Sequence, residues 1–190
     1  MFALFKPHPE RIAAELAYSR IVAQARQPGF FLQGGVPDTL DGRFELICLH
    51  AFLYLHRLKG EQPRAARHGR RFAAAMFADF DRSLREMGTG DLSVGREVKR
   101  MAEAFHGRFA AYEEGLAAGD NVLRPALARN LFGTTTPDRV QLAAMARYVR
   151  GQAAALRRQG AGALLAGDVA FGDPQLPAGE FAEAEGAVRR

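Results

Sequence analysis

The chain is poor in the residues that do chemistry. Its 190 residues include one cysteine, Cys48, three serines, Ser19, Ser83 and Ser93, and five histidines. A lone cysteine excludes a disulfide framework and fits a reducing compartment. Cys48 lies inside an apolar stretch and reads as a small core residue, not a reactive thiolate. None of the serines sits in a G-x-S-x-G frame, which excludes that nucleophile motif. Long hydrophobic runs are also missing. The greasiest segment, LICLHAFLYLHRL at 46–58, is interrupted by His50, His56 and Arg57, whereas a helix crossing a bilayer needs about 20 apolar residues. The N-terminal MFALFKPHPE is too short for a signal-peptide core and has no small-residue cleavage site. The chain therefore reads as cytoplasmic, with peripheral contact at the inner face of a membrane as the further expectation.

No block of one charge sign stands out. There are 26 Lys and Arg against 21 Asp and Glu, a formal charge of +5, and the two signs are interspersed. Such a pattern is first a solvated surface, with a mild preference for anionic partners such as lipid or RNA and no signal for DNA.

Strand-like alternation is absent, and helical spacing runs through most of the chain. PERIAAELAYSRIVAQARQ opens on Pro9 and stops before Pro28-Gly29. The connector QPGFFLQGGVPDTLDG at 27–42 carries Phe30, Phe31 and Leu32, which read as exposed. A helix over about 40–58 is expected, with Asp38 as its cap. It is apolar around most of its circumference and so should lie at the centre. Arg43, His50, Tyr54 and Arg57 fall along one line of it and call for solvent or a buried polar partner.

The next two helices cover about 64–87 and 93–118. The first repeats Phe72, Met76, Phe80 and Leu84. The second carries a stripe from Val94 to Leu116, with Ser93 as its expected cap. A shorter helix at 120–132 contains Pro125, and another begins near Thr136-Pro137. After Gly160 the helical signal fades. The expected architecture is all-α, a single irregular bundle of about six helices over 1–160, with a weakly ordered Gly/Pro/Ala-rich tail over 161–190.

Gly90 to Gly95 followed by Arg96 and Glu97 reads G-x-x-x-x-G-R-E, close to the phosphate-cradling G-x-x-x-x-G-K-[ST]. A phosphate loop needs a preceding strand, a lysine and a hydroxyl, and all three are missing. The glycines fit a helix–turn–helix corner better, with Gly88 in the left-handed conformation. Glu103 and His106 have the E-x-x-H spacing of di-iron bundles, but such sites need a second copy and more glutamates. No metal, cofactor or catalytic group is expected. Asp79 and Asp81 diverge by about 200° on a helix and do not form an acid/base pair. What remains is dense charge around an ordered turn, including Asp81–Arg85, Arg82–Glu86 and Lys99–Glu103 at i,i+4 spacing.

Three segments resemble the ubiquinol–cytochrome c chaperone family: VPDTLDGRFELICLHAFLYLHRLKGE, FADFDRSLREMGTGDLSVGREVKRMAEAFHGR and ALARNLFG. The resemblance runs from about Tyr18 to about Tyr148. Its most specific part is D-x-D-R-x-L-R-E-M-G-x-G-D-L-x-V-G. One departure is His106, where the family pattern favours Tyr. The resemblance implies an all-helical, non-enzymatic chaperone in assembly of respiratory complex III, with cytochrome b as client. A small partner protein and the ribosome are further implied partners. It assigns client or partner contact to Asp79, Asp81, Arg85, Glu86, Gly88, Gly90, Asp91, Leu92, Gly95 and Lys99. Phe30, Phe31, Leu32, Phe77 and Phe80 are candidate apolar contacts, with core packing the stronger expectation for the last two. The competing readings are a basic helical adaptor for RNA or ribosome and a metal-dependent enzyme.

Overall fold

The computed structural model describes residues 8–61, 63–133 and 135–177. Six long helices and two short ones lie among them: α1 (Pro9–Ala25), α2 (Gly29–Leu32), α3 (Leu40–Leu58), α4 (Arg64–Glu86), α5 (Asp91–Ala118), α6 (Asp120–Leu131), α7 (Arg139–Arg158) and α8 (Ala161–Leu165). No strand occurs among the described residues.

The apolar α3 is the axis of the fold. It packs against α1, α5, α6 and α7, and Leu46, Leu49, Phe52, Leu53 and Tyr54 are sealed from solvent. A helix that is apolar nearly all round needs neighbours on every side. Around it, α4 and α5 form a long hairpin, and α6 folds back along α5. Gly115 allows that close return, because a Cβ there would come within 2.8 Å of the Leu123 backbone.

Three local expectations need correction. Thr39 caps α3, its hydroxyl accepting from the Gly42 N–H, while Asp38 pairs with Arg43. The N-cap of α5 is Gly90, which places Ser93 within the first turn. Phe30 is fully buried, in edge contact with His50 and Tyr148, and Phe31 is half-buried. Only Leu32 of that trio is open, at 71% exposure. The folding-back of α2 onto α3 hides from sequence reading which aromatic faces inward. Pro125 sits inside α6. The start of α7 is a capping box between Asp138 and Gln141.

Of the stretch expected as a tail, residues 161–177 are packed onto the bundle, and 178–190 lie outside the described residues. Leu164, Val169 and Leu176 are buried. Two polar relays hold this strap. The Gln24 amide donates to the Tyr148 oxygen (2.9 Å) and to the Gly172 carbonyl (2.9 Å). His50 Nδ1 faces the Leu46 carbonyl at 2.7 Å and so carries the proton, which leaves Nε2 to accept from the Tyr148 hydroxyl at 2.8 Å. In the second relay the Tyr54 hydroxyl donates to the Leu164 carbonyl (2.7 Å), so His68 Nε2 is the donor to Tyr54 (2.6 Å). Burial lowers the pKa of both histidines, that of His50 to about 4. The polar line expected along α3 thus splits: Arg43 is exposed, His50 and Tyr54 find buried partners, and Arg57 donates to the Leu156 and Gln159 carbonyls.

Candidate functional site

The α4–α5 corner forms as its residues dictate. Gly88 has φ +85°, the left-handed conformation that suits glycine after a helix. Gly90 is extended at the cap, and Gly95 lies within α5. No loop separates the two glycines of G-x-x-x-x-G, so the phosphate-loop geometry does not exist here. Arg85 clasps the corner, pairing with Asp81 on α4 (2.6 Å) and with Asp91 at the start of α5. Both carboxylates hold its guanidinium pKa above the ordinary value.

Arg82 pairs with Asp79, one turn back, and not with Glu86. Asp79 also accepts from the Tyr18 hydroxyl at 2.8 Å, which ties α4 to α1. Burial and the neighbouring carboxylate push the Tyr18 phenol well up. Lys99 and Glu103 stand 3.9 Å apart on an exposed face. Glu86 is exposed. Leu92, at the tip, is 99% exposed, and Met87 is 51% exposed.

A groove of about 430 Å³ opens beside this corner. Its apolar lining comes from Phe44 and Ile47 of α3, Phe80 and Leu84 of α4, and Met101 and Ala104 of α5. The ends of α1 and α6 add Arg26, Arg129 and Phe132. Of the residues assigned to contact by resemblance, Asp79 alone lines the groove; the others stand on the corner next to it. Phe80 is buried in edge contact with Phe44 and Phe77, so its role is to build the lining.

Arg108 fixes one wall. It grips Glu45 with two guanidinium nitrogens and lies over the Phe44 ring at 5.5 Å. Burial pushes the Glu45 carboxyl above its usual range, against the pull of the guanidinium. The rim also carries Glu97 paired with Arg100 at 2.9 Å. Sequence reading missed this groove because its walls come from helices far apart in the chain. The one available signal was the pair of aromatics Phe44 and Phe80 near the ends of their helices.

Cys48 is fully buried, and burial together with the Glu45 charge pushes its thiol well above the ordinary range. No group of three or more His, Cys, Asp or Glu able to hold a metal lies among the described residues. Glu103 and His106 are both exposed, and His106 Nδ1 bonds the Ala102 carbonyl. Among the described residues no helix is long and apolar enough to cross a membrane.

The family model of the ubiquinol–cytochrome C chaperone matches residues 32–171, a range that contains the corner and all of the groove lining except Ala25 and Arg26. Ubiquinol-cytochrome-c reductase complex assembly factor 1 of Xenopus laevis is 30% identical over 163 residues, covering 85% of this chain and 81% of the frog protein. The human protein of the same name is 29% identical over 162 residues, covering 85% of this chain and 54% of its own length. The chain thus spans about half of the human relative. The crystal structure of the Cbp3 homolog from Brucella abortus superposes with a TM-score of 0.78 at 38% identity, over 88% of this chain and 93% of that one. With most of its length, residues 32–171, matched by the family model, this all-helical chain belongs to the ubiquinol–cytochrome c chaperone family.

Proposed function

We propose that this chain is a non-enzymatic assembly chaperone of the ubiquinol–cytochrome c reductase complex, complex III, and that cytochrome b is its client. The observation that carries the reading is the family match over 32–171, supported by relatives named as assembly factors of that complex. The geometry suits binding without turnover. An apolar groove can shield greasy side chains until assembly, and a charged rim favours release into water. The contact surface is the groove together with the corner: Asp81, Arg85, Glu86, Gly88, Gly90, Asp91, Leu92, Gly95 and Lys99, with Asp79 where the two meet. A small partner protein or the ribosome would use the open corner.

Peripheral contact with anionic lipid fits α7. This helix carries no acid, and Arg139, Arg147, Arg157 and Arg158 are exposed with no ion pair among the described residues, while Arg150 is paired with Asp120 at 2.6 Å. Each basic residue near an anionic surface adds ~1 kcal/mol.

The test is gene deletion followed by a difference spectrum of membranes. Loss of b-type cytochrome and of assembled complex III is expected, and normal levels of both would refute the proposal. Charge reversal at Asp81 and Asp91 should leave a folded protein that no longer captures cytochrome b.

A further inference from the structure

We infer that the groove selects a helical client segment carrying an acidic residue beside two or three bulky apolar ones. This rests on the chaperone reading above and adds what the groove recognises. The first observation is size and shape. About 430 Å³ is at the lower end of ligand-sized cavities, roughly 300–1,000 Å³. The lining comes from five helices, and the rim continues outward over Leu40 and Met87, both more than half exposed. An enclosed small molecule would not need that apolar margin, whereas a helix lying across the groove would cover it.

The second observation is charge. Within the groove Glu45 is paired with Arg108, Glu97 with Arg100, Asp79 with Arg82, and Arg43 with Asp38. Arg26 and Arg129 line the same groove, are exposed, and form no ion pair among the described residues. Asp41 is the single lining carboxylate in that condition. The unmatched charge is therefore two guanidinium groups against one carboxylate. Arg26 follows the last turn of α1, and Arg129 sits in the last turn of α6. A basic residue there also favours the helix dipole, but that role leaves the guanidinium free to grip a carboxylate. Guanidinium groups bind carboxylates in a planar, two-pronged geometry, which makes an acidic side chain the matching ligand.

The experiment uses the full chain and two fluorescein-labelled 18-residue helical peptides. Both carry leucine and phenylalanine on one face. One has two glutamates at the end of that face, and the other has lysines in their place. Anisotropy should show the glutamate peptide binding at least tenfold tighter than the lysine peptide. Arg26→Glu/Arg129→Glu should reverse that order with thermal stability held close to the parent. Leu40→Lys/Met87→Lys should weaken both peptides.

Equal affinity for the two peptides, or indifference to the arginine changes, would overturn the inference. So would displacement of both peptides alike by stoichiometric dodecanoate, which would assign the groove to a single-chain amphiphile. Concentration-dependent dimerisation abolished by the arginine changes would overturn it in favour of a second copy of the chain. The two levels separate cleanly. If deletion removes complex III while the peptides are not discriminated, the chaperone role stands and this inference fails. If the peptides are discriminated while b-type cytochrome is unaffected by deletion, the groove specificity stands and the client is another protein.

Discussion

Arg108 on α5 holds both carboxylate oxygens of Glu45 on α3, and the pair is largely withdrawn from water. It joins the central helix to the hairpin at the wall of the groove. Burying two charges is costly, and their attraction offsets that cost only while both remain. The pair therefore specifies position more than it adds stability.

Arg108→Met should for that reason be severe. It leaves the Glu45 carboxylate buried without its partner, at a cost of about 3–5 kcal/mol. Adding Glu45→Met should recover most of the loss, since two apolar side chains of similar length can fill the space. Urea midpoints of the single and double variants measure both effects. A double variant as unstable as the single one would show that the wall depends on the charges themselves.

Acid should loosen the strap over the bundle. His50 is buried neutral, with its pKa lowered to about 4 from an ordinary value of 6.5. Below pH 6.5 the unfolded chain takes up a proton that the folded chain refuses, so stability falls as pH drops and levels off near pH 4. The full interval corresponds to about 3 kcal/mol. His68 shifts in the same direction, through burial, and adds to the slope. Stability measured from pH 7 to 4 should decline, and His50→Gln should flatten that decline.

Much of the fold is legible in the sequence. Helix periodicity marks α1, α3, α4, α5 and α7, and Gly88 marks the corner. The strap is harder to read. Leu164, Val169 and Leu176 lie among glycines, alanines and prolines, and no local period links them. Gln24 of α1, far off in the chain, and Gln152 and Gln159 of the α7 end bind the strap backbone and hold it down. The candidate site divides in the same way. The corner is a contiguous motif, whereas the groove joins Phe44, Phe80, Met101 and Arg129 across the chain. Charge density marks Asp81 and Arg85 in the sequence, whereas the exposure of Met87 and Leu92 and the groove beside them show only in the fold.

The tyrosines should separate by their hydroxyl partners. Tyr148 and Tyr54 stand in relays, and replacing either by Phe leaves a buried acceptor or donor unmet, a loss of about 1–3 kcal/mol. The Tyr112 hydroxyl is buried and has no hydrogen-bond partner among the described residues. Tyr112→Phe removes a desolvated polar atom and keeps the ring against Phe52. It should be neutral or stabilising, which thermal unfolding of the three variants can rank.

The glycines give the sharpest contrast, because their geometry differs so much. Gly167 has φ +88°, and a Cβ there would lie 2.4 Å from the Ala13 carbonyl oxygen. Gly167→Ala must move backbone as well as adopt a left-handed angle, so it should cost more than the ~1–2 kcal/mol of the angle alone. Gly88 has φ +85° but open space around it, so Gly88→Ala should cost about 1–2 kcal/mol and no more. Gly95 is helical with nothing within 4 Å. Gly95→Ala should stabilise by about 0.5–1 kcal/mol, since alanine is the better helix former and restricts the unfolded chain. The four urea midpoints should therefore fall in the order Gly95→Ala, parent, Gly88→Ala, Gly167→Ala. If Gly95→Ala keeps that gain in stability yet fails to capture the client, Gly95 serves contact and not folding. A gain in stability with capture intact would remove Gly95 from the contact surface.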